Sequence, residues 1–156
     1  MLTFMIPCLF GLEGLVGDEV RHLGLRDVQV DNGQVVCQGT EADIPRLNIN
    51  LRCGERVLLL MGQFPARSFE ALFQGVRAIP WEDYVPRDGQ FPVKGYALDS
   101  QLHSVPDCQR IVNKAAAERL GRAYGLERLP ETGAKYQIQF AIRKDQCAVY
   151  LDTSGA

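Results

Sequence analysis

The dipeptide Asn32-Gly33 lies between two short segments in which apolar and polar residues alternate. Asn-Gly favours the tight two-residue turn of a β-hairpin, because such turns need positive φ angles that these residues tolerate. The alternation on either side is typical of strands that are buried on one face. We therefore predict an antiparallel hairpin over residues 28–37, and the segments around it decide the fold.

Helical and strand patterns lie on both sides of this hairpin. Apolar residues at helical spacing cover residues 12–23, and Gly24 is placed to end that helix. Thr40 is the predicted cap of a second helix. Mostly apolar runs at residues 3–10 and 56–64 predict the first and last strands of this half.

The order β-α-β-β-α-β predicts a ferredoxin-like fold for residues 1–65, with two helices on one face of a four-stranded antiparallel sheet. Pro65 marks the join to a second domain, residues 66–156. Its predicted order is α-α-β-α-β-β, with elements at residues 68–80, 81–84, 90–98, 104–124, 136–143 and 147–152. The fold class is therefore α+β.

A polar loop before the long helix is a candidate phosphate site, because the N-terminus of a helix favours anions. The candidate contacts are Lys94, Ser100, Gln101, His103 and Ser104. We expect Lys94 to lie beside this helix start and the Ser104 hydroxyl to accept from a backbone N–H. Two interpretations stay open from the residues alone: a phosphate site, or a helix cap without a ligand. Asp107 favours the cap, since its carboxylate competes with phosphate.

The residue spacing in the long predicted helix indicates one polar and one apolar side. Arg110, Lys114 and Gly121 fall on the polar side, which fits either a phosphate-binding stripe or an ordinary solvated face. The predicted apolar side holds Val112, Ala115, Ala116, Leu120 and Ala123. Trp81 and Tyr84 are expected in the core rather than against bases.

Charge places any contact with a polyanion in the second half of the chain. The 156 residues carry a formal charge of −2, which argues against indiscriminate coating of nucleic acid. Residues 1–65 have five Arg and eight acidic residues, whereas residues 66–156 have twelve basic and eleven acidic residues. Residues 110–128 alone hold five basic and two acidic residues.

Other classes of function find little support in the sequence. The five cysteines are scattered without a Cys-x-x-Cys pair and there are two histidines, so we predict no metal site and reduced, mostly buried thiols. We predict no catalytic residue, because His103 has no nucleophile with an orienting acid beside it. No apolar run is long enough for a membrane span, and we expect a cytoplasmic location.

Several short sequence motifs, taken together, resemble those of a bacterial family of THUMP-containing RNA methyltransferases, relatives of the large-subunit rRNA guanine-N2 methyltransferase. The motifs are spread over essentially the whole chain: Cys8-Leu-Phe-Gly-Leu-Glu-Gly14, Phe64-Pro-Ala-Arg67, Ile79-Pro-Trp-Glu-Asp83, Phe91-Pro-Val-Lys94, Ser100-Gln-Leu-His-Ser-Val-Pro-Asp-Cys-Gln-Arg-Ile-Val112, Leu129-Pro-Glu-Thr-Gly133 and Leu151-Asp-Thr-Ser-Gly155. The resemblance implies a ferredoxin-like domain and an RNA-binding THUMP domain. It also implies a C-terminal catalytic domain that uses S-adenosylmethionine.

In THUMP domains the strand that carries the Lys94 equivalent and the start of the next helix form the RNA face. The resemblance therefore implies RNA contacts from Lys94, Ser100, Gln101, His103, Ser104, Arg110 and Lys114. The sequence departs from the family after Lys94, where Gly95-Tyr96 replaces further basic residues.

We expect a substrate-recognition module for rRNA whose catalytic domain and cofactor lie outside these residues, so that this chain alone is not an enzyme. A tRNA-modifying THUMP protein and a ferredoxin-like domain without an RNA function are the alternatives.

Overall fold

The computed structural model describes residues 1–51 and 56–154 and contains two compact units. The first unit holds Met1–Leu60 and Asp152–Ser154, and the second holds Met61–Leu151. The domain division after residue 65 stays a prediction.

The first unit has the predicted β-α-β-β-α-β order. Its elements are β1 (Leu2–Pro7), α1 (Glu13–His22), β2 (Arg26–Asp31), β3 (Gln34–Gly39), α2 (Asp43–Asn50) and β4 (Leu58–Pro65), of which β4 ends in the second unit. The strand order is β2-β3-β1-β4 and the described pairings are antiparallel. The predicted ferredoxin-like fold is confirmed.

The Asn32-Gly33 turn closes the predicted hairpin. Asp31 pairs with Gln34, and Gly33 has a φ of 75°. The Glu13 carboxylate accepts hydrogen bonds from the backbone N–H of Gly33 at 3.0 Å and of Gly11 at 2.5 Å. These hydrogen bonds, of which the one from Gly33 has the largest effect, hold the pKa of Glu13 below its usual range. The start of α1 is thereby tied to the hairpin turn.

Thr40 does not cap α2, contrary to the prediction. The N-cap of α2 is Ala42, which makes no side-chain capping bond. The Asp43 carboxylate instead accepts from the backbone N–H of Thr40 at 2.8 Å, so the acidic side chain folds back over the helix start.

The second unit also follows the predicted order, with the short second helix reduced to a 3₁₀ turn. After β4 come α3 (Phe69–Arg77), the turn Trp81–Asp83, β5 (Val93–Leu98), α4 (Val105–Tyr124), β6 (Ile138–Arg143) and β7 (Gln146–Asp152). β5 pairs with β6 in parallel, and β6 pairs with β7 in antiparallel fashion. The predicted α+β class is confirmed.

One face of the β5–β6–β7 sheet packs against α3, the Trp81 turn and α4. Buried side chains alternate along β6 and β7, and they form one cluster with Leu72 and Val76 of α3 and with Val112 and Leu120 of α4. Trp81 is fully buried, and its Nε1–H donates to the carbonyl oxygen of Val76 at 3.0 Å. The prediction that Trp81 belongs to the core is confirmed.

Three cysteines are buried in the described part of the chain. They are Cys37, Cys108 and Cys147, and burial raises the pKa of Cys37 and of Cys147 to about 12. These thiols are therefore protonated at neutral pH. Cys53, which was included in the sequence prediction, lies outside the described residues.

Among the described residues, no group of three or more His, Cys, Asp or Glu side chains is arranged to hold a metal ion. None of the helices described has both the length and the apolar character to cross a membrane.

Candidate nucleic-acid interface

Lys94 lies at the start of β5, away from the N-terminus of α4. Lys94 is separated from Leu98, the last residue of β5, by about 13 Å at the usual strand rise. The Nδ2 group of Asn113, in the third turn of α4, donates to the carbonyl oxygen of Phe91 at 3.5 Å and marks the helix level beside that end of β5. The exposed Lys94 alternates with Val93 and so projects from the face opposite α4. The predicted grouping of Lys94 with the helix start is wrong.

The loop between β5 and α4 is fixed to the β6–β7 turn. The Ser100 hydroxyl donates to the carbonyl oxygen of Leu98 at 2.8 Å and accepts from the backbone N–H of Asp145 at 3.0 Å. The Asp145 carboxylate accepts from the backbone N–H of Gln101 at 2.8 Å. Ser100 therefore has a structural function, whereas the side chains of Gln101 and His103 are exposed.

Ser104 is the N-cap residue of α4, but its side chain makes no capping hydrogen bond. The predicted bond from a backbone N–H to its hydroxyl is therefore wrong. Its carbonyl oxygen accepts from the backbone N–H of Cys108 at 3.0 Å and begins the helix. Pro106 occupies the first turn, where its missing N–H costs no helical bond.

The two candidate cations of α4 differ in their surroundings. Arg110 donates to the Asp107 carboxylate at 2.7 Å, with side chains 73% and 41% exposed. A pair this exposed is weak in water, so a phosphate can compete for the guanidinium. Lys114 is exposed beside Phe69 and Phe73 of α3, away from the polar loop.

The apolar side of α4 follows the prediction at four of its five positions. Val112, Ala115, Ala116 and Leu120 are buried. Ala123 is exposed, contrary to the prediction. It lies in the last turn, next to the Gly125 cap, beyond the end of the core.

Three further cations lie at the edge of the sheet where β5 ends and the loop to α4 begins, and parallel pairing of β5 with β6 brings two of them, Arg143 and Lys144, to that edge. Arg143 pairs with Leu98, and the backbone N–H of Lys144 donates to the carbonyl oxygen of Leu98 at 3.3 Å. Arg67, which is 77% exposed, lies 3.8 Å from the Asp145 carboxylate. With Arg110, these residues surround the loop at residues 99–104, and we call Arg67, Arg110, Arg143 and Lys144 the basic edge.

Sequence reasoning missed three of the four residues in the basic edge. The sequence pattern predicts Arg143 at the end of a strand and Lys144 in the turn that follows, and only the parallel pairing of β5 with β6 places that strand end and turn beside the loop to α4. A strand–helix–strand order with a connection of this length was the available signal, because parallel neighbours end at one edge of a sheet. Asp99, Asp107 and Asp145 also lie at this edge, so its net charge is only weakly positive.

The cations in the later part of α4 have partners in the protein. Arg119 donates to both carboxylate oxygens of Glu82, at distances from 2.6 to 3.1 Å. This guanidinium holds the pKa of Glu82 below its usual range. Arg77 donates to Glu118 at 2.9 Å in the same cleft of about 450 Å³. The cleft between α3 and α4 is therefore an ion-pair cluster, and the basic edge is the better candidate for phosphate.

Comparison with known proteins matches the two parts of the chain to two different families. Residues 3–58 match the family described as the RlmL ferredoxin-like domain, and residues 66–152 match the family described as the THUMP domain. "Putative RNA methyltransferase YpsC" of Bacillus subtilis is 41% identical over 155 residues, which are 98% of this chain and 40% of that protein. "Ribosomal RNA large subunit methyltransferase K/L" of Pseudomonas aeruginosa is 27% identical over 154 residues, which are 96% of this chain and 21% of that protein.

A solved structure gives the same result at the level of the fold. The crystal structure described as "SMU.472, a putative methyltransferase complexed with SAH" superposes with a TM-score of 0.91 at 40% identity. The superposition covers 97% of this chain and 41% of the other. The chain thus spans between about a fifth and two fifths of the length of these relatives.

Proposed function

We propose, because this chain belongs to the THUMP domain family, that it binds structured RNA and presents it to a methyltransferase domain of a longer parent protein. Relatives named as RNA methyltransferases match almost all of this chain over a minor part of their own length. That proportion supports a recognition part rather than the catalytic part of such an enzyme.

One observation carries the proposal: the residues that match the THUMP domain contain the basic edge. Its four cations are exposed around a loop that leads into the N-terminus of α4. Backbone N–H groups at a helix start and flexible cationic side chains are the groups that bind phosphate oxygens. A weakly positive edge of this kind suits a few phosphate contacts rather than tight binding to any polyanion.

The chemistry proposed for this chain is positioning. Contacts to phosphates fix the register and orientation of an RNA without reading its sequence. The target base can then leave its stack and enter the catalytic domain. We assign no catalytic residue to this chain, and its share of the reaction is to hold the substrate in place.

For the parent protein we propose an rRNA guanine-N2 methyltransferase in the cytoplasm that uses S-adenosylmethionine. The name of the Pseudomonas relative supports rRNA as the substrate. SAH in the similar solved structure supports the cofactor, because SAH is S-adenosylmethionine after loss of its methyl group. We also propose that the two domains divide at residue 65, with residues 66–156 as the RNA-binding domain.

A binding titration tests this function directly. Fluorescently labelled fragments of large-subunit rRNA and an intact tRNA are titrated with the chain at low salt, about 50 mM KCl. We expect measurable binding, with the rRNA fragments preferred over tRNA. Lys144→Ala should weaken binding about threefold or more, because a phosphate contact of the basic edge is lost.

Lys135→Ala is the matched control, since Lys135 is also exposed but lies outside both β5 and the basic edge. It should leave the affinity within twofold of the wild type. Absence of binding to every RNA at low salt would contradict the proposed function. A clear preference for tRNA would instead favour a recognition part of a tRNA-modifying enzyme.

A further inference from the structure

The face of the β5–β6–β7 sheet that is turned away from α3 and α4 has an arrangement that the basic edge does not explain. Along β5, Lys94, Tyr96 and Leu98 are exposed, whereas Val93 and Ala97 pack into the core. Tyr96 and Leu98 are 44% and 53% exposed. No helix of the second unit covers these side chains in the described part of the chain, because its helices pack on the other face. We call this surface the open face.

Beside Tyr96 the open face has a shallow floor. Strand register places Ala141 of β6 next to Tyr96, and Ala148 of β7 next to Ala141. Neighbouring strands lie about 4.8 Å apart, so two alanines in a row leave a recess about 10 Å wide. Tyr150 of β7 lies on the same face, two residues from Ala148, and is partly buried, so aromatic rings border the floor on both the β5 and the β7 sides.

Amide side chains border this floor in the strand direction. Gln139 pairs with Lys94 and with Tyr150, one step along the strands from the alanines on the same face. Gln146 pairs with Arg143 on the opposite side of the floor. Amides both donate and accept hydrogen bonds, which suits the edges of bases that are not paired with another strand.

Charge on the open face favours a polyanion. Lys94 and Arg143 stand at its two ends on the β5 and β6 strands, and neither has an ion-pair partner at contact distance among the described residues. Within the second unit, the described positions of β5, β6 and β7 that project from this face include no Asp or Glu; Asp152, the last residue of β7, is buried and paired with Arg56. An exposed aromatic ring between two cations is the arrangement of a single-strand binding surface.

We propose that the open face binds two or three unpaired nucleotides of the RNA, with one base stacked on Tyr96 above the alanine floor. Phosphates on either side of that base contact Lys94 and Arg143. This inference rests on the proposed function, because it identifies the part of the RNA that the chain reads. It also gives Tyr96, which replaces a basic residue of the family pattern, a function in binding.

The test compares single-stranded and double-stranded RNA. A nine-nucleotide unstructured RNA and a duplex of equal length are titrated with wild type, Tyr96→Ala, Tyr96→Phe and Ala141→Gln. We expect Tyr96→Ala to weaken single-strand binding by about 5- to 150-fold, the usual effect of losing one stacked base. Tyr96→Phe should stay within twofold. Ala141→Gln should weaken binding because its side chain fills the floor without removing the ring.

Phe69→Ala provides the control for loss of an exposed aromatic residue, because Phe69 is 42% exposed on α3 and away from the open face. It should leave both affinities unchanged, and circular dichroism checks that each variant is folded. If wild type binds RNA while Tyr96→Ala and Ala141→Gln bind the single strand equally well, the open face is not the site and the proposed function stands. If wild type binds no RNA, the proposed function itself fails.

Sedimentation at the titration concentrations tests a protein occupant of the same face. Self-association that Tyr96→Ala abolishes would make the open face a contact between copies of the chain and would overturn the inference. A monomer at every concentration supports it.

Discussion

Gly95 and Tyr96 are neighbours in β5 with different functions: Gly95 serves the packing of the fold, and Tyr96 is exposed for the proposed binding. A Cβ atom at this position would overlap the carbonyl oxygen and ring of Phe140, so the residue beside Lys94 must be glycine for β5 to pack closely on β6. Its neighbour Tyr96 points the other way and is exposed. The departure from the family pattern at Gly95-Tyr96 therefore has two causes: packing at Gly95 and, in our proposal, stacking at Tyr96.

Two serines at helix starts give a prediction at the same scale. The Ser68 hydroxyl accepts from the backbone N–H of Ala71 at 3.1 Å, whereas Ser104 makes no such bond. Ser68→Ala should lower the free energy of unfolding by about 1 kcal/mol, the usual cost of a lost N-cap. Ser104→Ala should stay within about 0.5 kcal/mol of wild type. Urea unfolding measures both, and equal losses in the two variants would show that Ser104 caps α4 in solution.

At the scale of elements, α3, the Trp81 turn and α4 are joined by the Arg119–Glu82 pair as well as by the core. Arg119 and Glu82 side chains are 33% and 24% exposed. Tyr124, at the end of α4, donates its hydroxyl to the carbonyl oxygen of Val85 at 2.7 Å and strengthens the same connection. These bonds hold the turn against the later part of α4.

The pH dependence of this pair is a further prediction. Because the folded protein holds the pKa of Glu82 below its usual range, the stabilisation is present above the unfolded pKa of about 4.3 and is lost as the pH falls through the folded pKa. Glu82→Gln should lower the free energy of unfolding by about 1 kcal/mol at pH 7, and this difference should shrink progressively below about pH 4.

Asp18→Asn is the control for that experiment. Asp18 pairs with Arg21 at 3.2 Å, but its side chain is 76% exposed. Its substitution should change stability by less than about 0.5 kcal/mol at either pH. A loss in Glu82→Gln that persists unchanged at pH 3 would mean that packing of the side chain, and not its charge, supports the turn.

Sequence patterns predicted the elements well because their signals are local. The Asn32-Gly33 turn and the apolar spacing of α4 each depend on a few neighbouring residues. The failures at Thr40 and Ser104 have a different cause. Both residue types suit a cap, but which side chain bonds to the helix start depends on competition with groups such as Asp43 that the pattern does not rank.

The basic edge could not be predicted in the same way, because it is assembled by strand pairing. Arg143 and Lys144 are more than 40 residues beyond Lys94 in the chain, and they reach the α4 start only through the parallel register of β5 and β6. The prediction that Lys94 lies beside the start of α4 was wrong for a related reason. Strand alternation directs the Lys94 side chain to the face of the sheet opposite α4. Local patterns thus identified the candidate residues, and topology decided which of them lie together.

For the whole molecule, the central claim is that a weakly charged chain binds RNA through a small set of placed cations. A net charge of −2 excludes binding driven by bulk attraction, so the salt dependence should reflect individual contacts. Removing a cation that contacts a phosphate lowers the slope of log K against log salt by about one. Removing one elsewhere leaves that slope unchanged.

The most direct test is therefore the affinity for an rRNA fragment measured from about 50 to 200 mM KCl, with wild type, Arg143→Ala/Lys144→Ala and the control Arg21→Ala/Arg26→Ala. The control removes two exposed arginines of the first unit. The account predicts that the Arg143/Lys144 double variant lowers the magnitude of the slope by about two while the control retains it. A slope that falls equally in both double variants, or in neither, would contradict the claim that the basic edge holds the RNA.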